Sequence, residues 1–121
     1  MVQTSKSRAA ARRAGKVTEA RWATLLLGRR IPSPGRANRD IETPYPLCIE
    51  VKHRTESTPK WIRDALAQAV SDVGEGEIPV VIRHEKGDSW QEDVIFMSGE
   101  SFMQIMRTVG TEVIWADAEN L

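Results

Sequence analysis

The sequence predicts an α/β domain with a mixed β-sheet of about four to five strands flanked by helices. Three observations point there. Runs of helix-forming, helically spaced residues recur near the start, the middle and the end of the chain. Between the first two lies "DIETPYPLCIEVKH", two short apolar runs around a proline-bracketed turn. After the second comes "IPVVIRHE", then "DVIFM" beyond a turn, and the first of these is nearly continuous in apolar residues, as an interior strand is.

Residues 1–7, "MVQTSKS", read as a flexible terminus, 8–116 as one domain, and 117–121 as a frayed end. From Arg8 to Leu27 good helix formers dominate. Trp22 and Leu26, four apart, fit one buried stripe, Gly15 invites a break, and Gly28 suits the C′ position that ends the helix. "RRIPSPGRANR" reads as a basic loop or a short edge strand. "DIE", the turn "TPYP" and the alternating "LCIEVKH" make a β-hairpin, with Leu47, Ile49 and Val51 on one face and Cys48, Glu50 and Lys52 on the other. Thr58 as cap and Pro59 at the first position open a second helix, whose apolar stripe is Ile62, Leu66, Val70 and Val73. "GEGE" and "KGDSWQE" are turns on either side of "IPVVIRHE". Ser98 caps a third helix, "GESFMQIMRTV", and "TEVIW" reads as a final strand.

With 40% hydrophobic and 28% charged residues the composition is that of an ordinary globular protein. No run reaches the roughly 18 apolar residues of a membrane span, and none follows the basic N-terminus as a signal peptide requires. A single cysteine, Cys48, forms no internal disulfide, so a reducing cytoplasm, of a bacterium or a phage-infected host, is the expected compartment. The net charge of zero hides a division. Residues 1–40 hold ten Lys or Arg against Glu19 and Asp40, a net +8, and the remainder is −8. A basic end of this kind suits a polyanion, because each neutralised phosphate releases counterions.

The hairpin face carries the chemistry. Asp40 on its first strand and Glu50 on its second are two carboxylates suited to share a divalent cation, and Mg2+ takes about six oxygens at about 2.0–2.1 Å with several of them from water. Lys52 projects from the Glu50 face, where it can orient an attacking water or offset phosphate charge. Together these groups suit phosphodiester hydrolysis. Glu-x-Lys on an open strand also serves solubility alone. Asp40 across the turn, Glu19 in the preceding helix and the basic N-terminal region weigh toward a site.

"RD" followed by "IEVKHR", with a helical glutamate before and a helix carrying Gln68 after, resembles the PD-(D/E)xK nuclease superfamily. "GKVTEARWATLLL" and the Ser33/Gly35 loop look most like archaeal-type and phage Holliday junction resolvases. The resemblance spans residues 8 to about 84 and implies a restriction-endonuclease-like core. It implies Asp40 and Glu50 as metal ligands with the Val51 carbonyl, Mg2+ or Mn2+ as the metal, and Lys52 positioning the water. Glu19 and Gln68 would complete the catalytic set. Ser33 would lie near the scissile phosphate, with Arg12, Arg13, Lys16, Arg36 and Arg39 on the DNA. Arg39 stands where the family name has proline, and Asp72 stands where an exonuclease-like branch has tyrosine. The implied activity is branched-DNA cleavage in recombination or repair by a homodimer, since a two-fold junction calls for a two-fold protein. The rivals are a restriction- or repair-type nuclease and a non-catalytic DNA-binding protein.

Cys48, His53 and His84 have no zinc-site spacing. "GEGE" lacks the lysine and Ser/Thr of a phosphate loop. Trp22 and Trp61 read as core, and Trp90 as an exposed turn residue.

Overall fold

The computed structural model describes residues 5–31 and 39–108. They fall into two compact units, one ending at Thr55 and the other starting at Glu56.

The first unit is built on α1 (Ser5–Leu25), which packs on β1 (Arg29–Arg30) and β2 (Ile41–Glu42). Six alanines favour the helix, which begins inside the stretch read as a loose terminus and runs through Gly15 without a break. Ala23, Leu26 and Ile41 form its buried core. The helix stops in a Schellman motif. Leu27 N–H donates to Thr24 O (3.2 Å) and Gly28 N–H to Ala23 O (2.8 Å), with Leu27 left-handed at φ 58°. Leu27, not Gly28, is therefore C′. Gly28 serves a different need, since a Cβ there would lie 1.9 Å from the Glu42 carbonyl oxygen.

β1 and β2 pair antiparallel, Arg29 with Glu42 and Arg30 with Ile41. Ile49 joins Ile41 by a single antiparallel bridge. The second run of the predicted hairpin is thus approached but not made into a regular strand. Pro44 and Pro46 contribute no N–H, and the Val51 N–H is taken by a side chain rather than a ladder carbonyl. Its alternation survives: Leu47, Ile49 and Val51 are half-buried, while Cys48, Glu50 and Lys52 are exposed.

The second unit holds α2 (Lys60–Asp72), β3 (Val81–Arg83), a 3-10 turn (Trp90–Glu92), β4 (Val94–Phe96) and a third helix, α3, described over 99–108. α2 packs on β3. Pro59, not Thr58, precedes its first turn and accepts from the Ile62 and Arg63 amides. Of its predicted stripe only Ile62 is buried, and Val70 and Val73 are exposed. β3 and β4 pair antiparallel, Ile82 opposite Ile95. Turns at 74–77 and 85–88 each place glycine third at positive φ, the type II arrangement. Ser98 caps α3 as expected, its Oγ accepting from Ser101 N–H at 3.0 Å. Met103 and Met106 are buried.

The expected α/β architecture, a restriction-endonuclease-like core with a mixed sheet of four to five strands, is corrected by these findings. The described residues form two separate two-stranded antiparallel sheets, and helix outweighs strand. "IPVVIRHE" is not an interior strand: three of its residues pair, and Ile82 is 64% exposed. A near-continuous apolar run records that a strand can be covered on both faces, not that a neighbour supplies the cover. The predicted strand "TEVIW" and the frayed end 117–121 lie outside the described residues. Among the described residues no helix is long and apolar enough to cross a membrane.

Candidate functional site

The local fold of the first unit gathers Asp40, Glu50, Val51 and Lys52. Asp40 is tied at three atoms. Its carbonyl accepts from Ile31 N–H (2.9 Å), its N–H donates to Ile49 O (2.8 Å), and its Oδ2 accepts from Val51 N–H (2.5 Å). The Glu50–Val51 peptide therefore flanks the Asp40 carboxylate. Glu50 and Lys52, on the exposed side of the same run, form an ion pair, Nζ to Oε1 at 2.8 Å. Both side chains are more than 60% exposed, so the pair adds little to stability.

Carboxylates and a main-chain carbonyl are the donor types a hard divalent cation takes, and Glu50 is open to water. The Glu50 carboxylate meets the Lys52 ammonium. Among the described residues no three His, Cys, Asp or Glu side chains cluster around one point. Asp40 and Glu50 meet different partners, the Val51 N–H and the Lys52 ammonium.

Glu19 is held elsewhere. Its Oε2 accepts from Arg30 Nε at 2.7 Å, with both side chains mostly buried at 21% and 26% exposure. Sequence reasoning missed this partner. Arg29 and Arg30 were legible only as basic residues, yet strand alternation sends Arg29 outward to Glu42 (2.8 Å) and Arg30 inward to α1. Gln68 belongs to the second unit, where its amide nitrogen donates to Asp72 Oδ2 (3.0 Å) on its own helix.

Arg12, Arg13 and Lys16 are exposed on α1, and Arg39 is exposed beside Asp40. Among the described residues none of the four makes an ion pair, which leaves their charge available to an anion. His53 approaches the same helix: its Cβ lies 3.9 Å from where a Cβ on Gly15 would sit. The chain just after Lys52 therefore touches the basic helix near Gly15. Ser33 and Arg36 lie outside the described residues. An open depression of about 430 Å3, lined by Leu27, Gly28, Arg29, Glu42, Thr43 and Pro44, includes no candidate residue.

No protein-family model matches the chain, and neither a curated protein nor a solved structure matches it.

Proposed function

We propose that the chain is a metal-dependent DNA endonuclease, of the structure-specific kind that cuts branched DNA, acting as a homodimer. The observation that carries this reading is the hydrogen bond from Val51 N–H to Asp40 Oδ2, which draws the Glu-x-Lys run against the Asp40 carboxylate. Asp40, Glu50 and the Val51 carbonyl would hold Mg2+ or Mn2+, and the ion when bound supplies Lewis acidity at the scissile phosphate. Lys52 releases Glu50 to do so, and its ammonium then orients water and balances charge on the phosphate oxygens. Arg12, Arg13, Lys16 and Arg39 hold the flanking phosphates, which fixes register without reading sequence. The dimer follows from stereochemistry: one set of these residues serves one strand, so paired cuts across a two-fold junction need two. The motif resemblance of residues 39–54 supports the same chemistry.

A second reading has its own support. Each candidate carboxylate is already satisfied within the chain, by Arg30, by the Val51 amide or by Lys52. A DNA-binding protein without chemistry would look the same. The two separate on one assay, in which purified protein meets a labelled four-way junction and the matching linear duplex, with Mg2+ or with EDTA. The nuclease reading expects Mg2+-dependent, junction-selective cutting. Lys52→Ala should lower it about 10^2–10^4-fold, and Glu50→Ala should abolish it, both with DNA binding retained. Binding without cutting under Mg2+ or Mn2+ leaves the non-catalytic reading standing.

A further inference from the structure

We propose that Glu19 is a positioning residue that acts through Arg30 and sets the Asp40 carboxylate, rather than a ligand of the metal. The consequence for chemistry rests on the nuclease reading above; the structural claim does not.

The contacts form a continuous line. Glu19 on α1 accepts from Arg30 Nε at 2.7 Å. Arg30 in β1 is the register partner of Ile41, which is fully buried. The next residue, Ile31, donates its N–H to the Asp40 carbonyl at 2.9 Å. Asp40 in turn donates to Ile49 O and accepts at Oδ2 from Val51 N–H. One ion pair thus fastens α1 to the strand that holds Asp40 in its place against the Glu50–Val51 peptide. The pair is built differently from its neighbour. Arg29 and Glu42, on the other side of β1 and β2, are 77% and 54% exposed, whereas Arg30 and Glu19 are 26% and 21%. A mostly buried pair cannot lose one member without leaving the other charge uncompensated. Glu19 would have to abandon Arg30 before it could bind a cation at Asp40.

The test compares Glu19→Gln, Arg30→Gln, the charge swap Glu19→Arg with Arg30→Glu, and Asp40→Asn, each first shown to be folded by circular dichroism. Two readouts are taken on the full chain without DNA. One is amide hydrogen exchange at Ile31 and Val51; the other is Mn2+ affinity by paramagnetic resonance. Positioning expects exchange at Val51 to rise about tenfold or more in Glu19→Gln and in Arg30→Gln, and to return toward the parent rate in the swap. It also expects the swap, which has no carboxylate at 19, to bind Mn2+ within about twofold of the parent, while Asp40→Asn loses about tenfold or more. The proposal is overturned if Val51 exchange in Glu19→Gln equals the parent's, or if the swap loses Mn2+ as severely as Asp40→Asn. Failure of the parent to cut DNA would sink the nuclease reading alone, because Val51 exchange is read without substrate.

Discussion

Leu27 shows how much one backbone conformation weighs. Among the described residues it is the one non-glycine at positive φ, and the residue is 71% exposed. A left-handed L-residue costs roughly 1–2 kcal/mol, and no packing here offsets it. Leu27→Gly should therefore raise stability by about 0.5–1 kcal/mol, read as a higher urea midpoint with unchanged slope; a lower midpoint would refute the assignment. Gly28→Ala should do the reverse, by about 1–3 kcal/mol, since its Cβ would meet Glu42 O. The sequence marked the helix stop to within a residue. It chose the wrong residue for C′ because glycine's preference for that position is statistical, while Gly28 answers to a strand fourteen residues away. At the candidate site the same limit holds. Asp40, Glu50 and Lys52 stand out as candidates by type and spacing. The Glu19–Arg30 pair was not, because no local pattern links a helix to a strand eleven residues on.

Helices were the most legible elements. The alanine-rich run produced α1, Ser98 capped α3, and α2 lay where Pro59 and the apolar spacing put it. Strands were less so. The Cys48–Lys52 alternation is visible in the exposures, but its pairing stops at one bridge from Ile49 to Ile41, since the Val51 N–H goes to the Asp40 side chain. For α1 the element itself has a measurable consequence. Arg12 and Lys16 lie one turn apart with Arg13 between, all exposed. If they meet phosphates, each contact contributes a slope of about −0.9 in log K against log salt on duplex DNA. Changing all three to glutamine should weaken binding and flatten that slope by about 2–3. An unchanged slope in titrations across several salt concentrations would remove α1 from the DNA interface.

At the scale of the molecule the chain is two small units, and the segment joining them is readily identified. Residues 52–60 are all exposed, and 51–59 hold no helix or strand. Exposed backbone without ladder or helix bonds is where proteases cut first. Limited trypsin digestion should therefore cleave first after Lys52 or Arg54 and release a basic N-terminal fragment, identified by mass. A first cut within α1, despite its many exposed arginines, would mean that the helix and not the joining segment is the weaker structure.

The local order of the chain was written in its residues: roughly where helices run, where turns fall, and how charge divides between the two ends. These follow from dihedral preference, spacing and composition, which act within a few residues. What the folded chain added was partnership. Arg30 faces Glu19, Val51 donates to the Asp40 side chain, and the strands among the described residues stay as two pairs instead of one sheet. Such choices turn on which distant groups desolvate together. Period-two and period-3.6 patterns fix which face of an element is apolar, and leave open what comes to cover it.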